Sequence, residues 1–131
     1  MVVILQTKES NEALVLTKAL SRVAEYWGLS NKQLGGVIGL SETTTLRLKN
    51  GTHTLKHGSK PWELSLMLLH AYRGLDAYMG GHTENQKCWL TAENDMLGGA
   101  PIDLMCNIEG LANIAQYIDY LRGNNDSHES Y

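Results

Sequence analysis

Residues 34–51 read "LGGVIGLSETTTLRLKNG", and this stretch decides the fold class. Leu34, Val37 and Ile38 recur at the spacing of one helix face, and Ser30 just upstream suits the cap of a short helix ending at Ile38. Gly39 supplies a turn, Leu40 an apolar plug and Ser41 a second cap. The helix that Ser41 opens carries Leu46 and Leu48 and runs out at Asn50-Gly51. Two short helices joined by a Gly-apolar-Ser turn form a helix-turn-helix. Gly35, four residues before Gly39, suits the place where one helix crosses the other too closely for a larger side chain. Gly36 costs helix propensity without such a reason.

Outward from this core, residues 12–27 read as the first helix: Ala13, Leu16, Leu20, Val23, Ala24 and Trp27 recur at helical spacing, and Gly28 ends it. Residues 52–60 are a polar loop. Ser59 and Pro61 then open a long helix through Met79, apolar over most of its circumference, which predicts packing against both halves of the chain, a second copy, or both. Gly80-Gly81 ends it. Thr83 and Gln86 have the spacing of a capping box, residues 94–103 form a turn-rich connector, and Pro101 opens a short helix. A last helix spans about residues 109–121, with Gly123 as its stop. The expectation is an all-α protein: an N-terminal arm (1–11), a helix-turn-helix domain (12–60), a connecting and dimerisation helix (61–81), a small helical C-terminal domain (82–123) and a polar tail (124–131).

The formal net charge of −3 hides a division. Seven basic residues face three acidic ones between Glu12 and Lys60, whereas from Pro61 onward three face ten. A basic front half can meet a phosphate backbone, and an acidic back half suits a basic protein partner. Cys88 and Cys106 are too few and too far apart for a disulfide scaffold or a redox motif, so reduced and largely buried thiols are expected. Val2 to Leu5 is too short for a signal sequence, and no apolar run is long enough for a membrane span, so the expected location is the cytoplasm.

In the third helix, Thr43, Thr44, Arg47, Lys49 and Asn50 are the candidates to meet DNA, because a recognition helix enters the major groove N-terminus first. Arginine can pair with a guanine edge, and threonine can hydrogen-bond or meet a thymine methyl. Lys32 and Gln33 suit phosphate contacts that fix the register, while Thr45 turns inward. No motif suggests catalysis, and neither a metal nor a cofactor is expected. His53 and His57 are four apart but lack a third ligand. Gly98-Gly99 lacks the Lys-Ser or Lys-Thr ending of a phosphate loop. Trp27, Trp62 and Trp89 are expected in the core.

Two further stretches carry a resemblance: "CWLTAENDMLGGAPIDLM" at residues 88–105 and "EGLANIAQYIDYLRG" at 109–123. Trp89, Leu90, Asn94, Leu97-Gly98-Gly99, Pro101, Leu104 and Gly110, placed after a helix-turn-helix and a long helix, resemble the Xre-like antitoxins with an MbcA/ParS toxin-binding domain. The resemblance implies a homodimer that represses its own operon from palindromic operator DNA. It also implies neutralisation of a RES-domain toxin that destroys NAD, by blocking the toxin's active site. Carried over, the toxin-facing candidates are Asn94, Asp95, Leu97, Gly98 and Gly99, with Asp119, Tyr120, Arg122 and Gly123. A plain dimeric repressor without a toxin partner, and an interaction module that has lost DNA binding, are the two other functions open to this chain.

Overall fold

The computed structural model describes residues 2–126. Seven helices follow one another: α1 (Val2–Trp27), α2 (Asn31–Ile38), α3 (Glu42–Lys49), α4 (Lys60–Tyr78), α5 (Thr83–Thr91), α6 (Pro101–Leu104) and α7 (Ile108–Asp126). The fold is all-α, with the helix-turn-helix at the N-terminal side and a smaller helical unit at the C-terminal side.

Local chemistry sets the short helices. Ser30 Oγ accepts the Gln33 N–H at 3.0 Å while Gln33 Oε1 accepts the Ser30 N–H at 2.9 Å, a complete capping box. Gly39 closes α2 in the left-handed region at φ 80°, and its N–H reaches the Gly35 carbonyl. Ser41 and Ser59 cap α3 and α4 by accepting the Thr44 and Trp62 N–H groups, with Pro61 in the first turn of α4. Gly35 has the expected steric reason: a methyl there would overlap the Leu40 carbonyl and come within 2.6 Å of the Thr45 hydroxyl. At Gly36 a methyl would sit 3.3 Å from the exposed Cys106 thiol of the C-terminal unit, a contact that a side chain can yield and not a steric requirement like that at Gly35.

α4 is the keel of the molecule. It packs on α1 and α2 to one side and on α5 and α7 to the other, and Trp62, Leu68, Leu69, Ala71 and Leu75 are all buried along it. Its breadth of apolar surface is thus used by both halves, in one hydrophobic cluster from Ala13 to Ile118. At Gly74 the contact with α7 is close enough that a methyl would meet Ile118 Cγ2 at 2.8 Å. One polar chain crosses this core. The Trp27 indole N–H on α1 donates to Gln86 Oε1 at 2.8 Å, and Gln86 Nε2 donates to Asp76 on α4, also at 2.8 Å.

Several expectations are corrected here. α1 begins at Val2 rather than at residue 12, since nothing in residues 2–11 breaks a helix. α7 runs to Asp126, straight through Gly123, which therefore does not stop it. Gln86 does not join Thr83 in a capping box: α5 has no side-chain cap at its N-cap His82, and Gln86 is 1% exposed in the core. Both cysteines are exposed rather than buried. Trp27 and Trp62 are buried as expected, but Trp89 is only half-buried. The tail from residue 127, including His128, lies outside the described residues.

Candidate nucleic-acid and protein-binding sites

α3 turns Thr45 and Leu48 inward, and Thr45 satisfies its hydroxyl on the Ser41 carbonyl at 2.8 Å. The helical period then places Thr43, Leu46, Arg47 and Asn50 together on the outer face, with Thr44 and Lys49 to either side. Leu46, one of the two leucines this helix carries, is 52% exposed beside Arg47. The sequence signal was ambiguous because Leu46 and Leu48 lie two apart, so one helix face cannot bury both. An exposed leucine there can meet a thymine methyl, as Arg47 can meet a guanine edge. Arg47, Lys49 and Lys32 take no part in the ion pairs formed among the described residues.

Two of the expected polar contacts have part of their chemistry committed. Gln33 spends its oxygen on the α2 cap, and Asn50 Oδ1 accepts from the Thr52 N–H (3.1 Å) and hydroxyl (2.7 Å) to build the turn after α3. Each keeps its amide NH2 as a donor, which suits a phosphate oxygen. Lys32 stands exposed in the first turn of α2, where the helix dipole also favours an anion. His57 remains exposed while its ring packs on Trp62, 4.6 Å between centroids, and Nε2 lies 3.4 Å from Glu12.

In the C-terminal unit the loop 94–99 is closed on itself. The Asn94 N–H donates to the Gly99 carbonyl at 3.0 Å, and Asn94 Oδ1 accepts from the N–H groups of Met96 (3.0 Å) and Leu97 (3.2 Å). Gly98 takes φ 85°, a conformation side chains resist, and Leu97 packs onto the core. Asn94, Leu97, Gly98 and Gly99 therefore shape the loop, while Asp95 and Met96, the latter 77% exposed, are what it displays.

On α7 the second set of candidates is divided in the same way. Asp119 accepts from His70 Nε2 on α4 at 3.0 Å to each oxygen. Arg122 is half-buried along Gly74, whereas Tyr120 and Gly123 are exposed. Tyr120 ends a stacked row that starts at Trp89: Trp89 to Tyr117 is 6.5 Å and Tyr117 to Tyr120 is 6.4 Å between ring centroids. Tyr117 went unremarked in the sequence, although its spacing of three from Tyr120 could have flagged it. Exposed Glu93, Asp95, Asp103, Glu109 and Asp119 make this unit acidic.

Two titrating groups are displaced. Burial pushes the Tyr72 phenol up, with Asp76 and Tyr26 adding to it. Cys106 is exposed by area, yet its Sγ lies against Gly36 and the Ile102 carbonyl; that desolvation, then Asp103, pushes the thiol up. Among the described residues no cluster of three or more His, Cys, Asp or Glu is placed to hold a metal ion, and no helix is long and apolar enough to cross a membrane.

Residues 8–70 match the family model of the antitoxin Xre-like helix-turn-helix domain, and residues 75–123 match that of the antitoxin Xre/MbcA/ParS C-terminal toxin-binding domain. A search of curated proteins returns no match. The chain therefore belongs to the family that joins an Xre-like helix-turn-helix domain to an Xre/MbcA/ParS C-terminal toxin-binding domain.

Proposed function

We propose that this chain is the antitoxin of a two-component toxin–antitoxin pair, acting in the cytoplasm. Its acidic C-terminal unit holds a basic RES-domain toxin that degrades NAD and covers the toxin's active site. Its α3 helices, two copies together, bind a palindromic operator and repress the operon. The observation that carries this is the coincidence of two features in one chain: the segment matching a toxin-binding domain, residues 75–123, is also the acidic segment. A repressor that only dimerised through this part would have no use for that charge.

The DNA side is supported by the open face of α3, where Leu46 is half exposed and Arg47 takes no part in the ion pairs among the described residues. With only two basic residues on this helix, one copy supplies little phosphate neutralisation, and two copies on a two-fold site are the remedy.

Co-expression with the product of the adjacent gene, followed by affinity purification and light scattering, tests the proposal. The expected result is a stable complex with a neighbour that arrests growth when produced alone and depletes NAD. A harmless neighbour, with this chain purifying by itself and binding the upstream palindrome, would leave a plain repressor.

A further inference from the structure

α1 carries a stripe that is exposed apart from Ala19, which packs partly against the core. Lys8, Glu12, Val15, Ala19, Arg22 and Tyr26 follow one another at steps of four, three, four, three and four, so they lie on one side of the helix. All are exposed except Ala19, which is half-buried; Val15 is 67% exposed and Tyr26 46%. With α4 this stripe forms the walls of a trough. One stretch of it, about 490 Å³, is bounded by Glu12, Val15, Trp62 and Leu66. A second, about 230 Å³, is bounded by Arg22, Tyr26 and Tyr72. The two share Ala19, Leu69 and Arg73, so the trough is continuous along α1. Its floor is aliphatic, with Leu66 half open to solvent; Glu12 stands at one end with His57 3.4 Å from it, and Arg22 and Arg73 stand at the other.

The stripe reads the same in both directions. Its spacings are symmetric about Thr17, and reversing the helix brings unlike groups together. Position 12 meets position 22, pairing Glu12 with Arg22. Position 15 meets position 19, setting Val15 against Ala19, large against small. Position 8 meets position 26, laying the Lys8 ammonium on the Tyr26 ring, whose inner face already stacks on Tyr72. In a two-fold pair each of these contacts occurs twice. The ends carry the charge pairing, and the small Ala19 at the centre lets two helix axes approach to about 8–10 Å.

We propose that this trough seats the α1 helix of a second copy of the chain, antiparallel, about a two-fold axis level with Thr17. From Lys8 to Tyr26 the paired helices would run together for about 27 Å, with Leu66 and Leu69 of α4 as the apolar wall against the incoming helix. This deepens the two-copy part of the proposed function and rests on it; it is independent of the toxin. Neither the outer face of α3 nor the loop 94–99 contributes a residue to the stripe.

Sedimentation equilibrium of the full chain tests it through a charge swap. The wild type is expected to be a dimer, Glu12→Arg or Arg22→Glu alone to raise the dissociation constant about tenfold or more through two symmetric repulsions, and the double variant to recover most of that loss. Val15→Lys, which puts a cation on each side of the axis, is expected to give monomer with an unchanged circular dichroism spectrum. A wild-type monomer at micromolar concentration overturns the two-copy reading and this interface together. A wild-type dimer indifferent to all four variants overturns the interface alone and leaves the trough to some other occupant.

Discussion

Gln86 is the residue on which the two halves of the core are pinned. It receives the Trp27 indole from α1 and donates to Asp76 of α4, and every buried side-chain nitrogen or oxygen among the described residues has a partner. Gln86→Leu preserves bulk while leaving the indole N–H and the Asp76 carboxylate without their shared amide. It is expected to lower unfolding stability by about 1–3 kcal/mol, read from urea denaturation, and an unchanged midpoint would show that the relay contributes nothing. The glycine pair offers a second contrast. Gly35→Ala drives a methyl into the Leu40 backbone and is expected to cost about 1–3 kcal/mol. Gly36→Ala meets only the exposed Cys106 thiol, which can shift. It gains about 1 kcal/mol of helix propensity and is expected to be neutral or stabilising, so similar losses at both sites would contradict the geometry. Gly35 could be read from sequence because its reason is a local crossing. Gly36 could not, because its neighbour lies seventy residues downstream. Gln86 was misread for the same reason: Thr83-x-x-Gln86 is a local cap in spelling, and only the distant Trp27 and Asp76 show where the amide goes.

At the scale of elements, the helices with strong end signals were legible. Ser30, Ser41 and Ser59 each cap the helix that follows, and Gly39 ends α2 as expected, because cap chemistry is satisfied within four residues of itself. α1 and α7 were each drawn too short. Residues 2–11 lack an amphipathic pattern but also lack a breaker, so the helix simply continues. Gly123 offered a stop that the chain does not take: its φ is not positive, and nothing among the described residues lies within 4 Å of where its Cβ would be. Gly123→Ala is accordingly expected to raise stability by up to about 1 kcal/mol, seen as a higher melting temperature by circular dichroism; a drop would mean that the position needs glycine's freedom after all. Thr43, Arg47 and Asn50 were named from the sequence as candidates for the DNA face, and Leu46 was not, because a leucine's hydrophobicity alone does not say which side of the helix it takes. In the C-terminal unit the motif was visible, but the division between loop-shaping Asn94 and displayed Met96 emerges only from the hydrogen bonds.

For the whole molecule, the proposed division of labour predicts separable surfaces on an inseparable body. Arg47→Ala is expected to weaken operator binding by about 1–3 kcal/mol, with a shallower salt dependence, while leaving partner binding unchanged in a pull-down. Loss of both activities in a normally folded variant would sink the two-surface account. Thermal unfolding followed by tryptophan fluorescence and by circular dichroism is expected to give one coincident transition, since a single cluster runs from Ala13 to Ile118; two resolved transitions would show that the halves melt separately. The two matched segments meet between residues 70 and 75, in the middle of α4 rather than in a loop. A helix that serves as a wall of both cores cannot be severed there without opening each. Turnover of such a chain is all or nothing: a protease that unravels α4 erases the operator-facing and partner-facing surfaces in a single event. On the proposed function, repression and neutralisation then share one half-life, and the cell cannot degrade its way out of one while keeping the other.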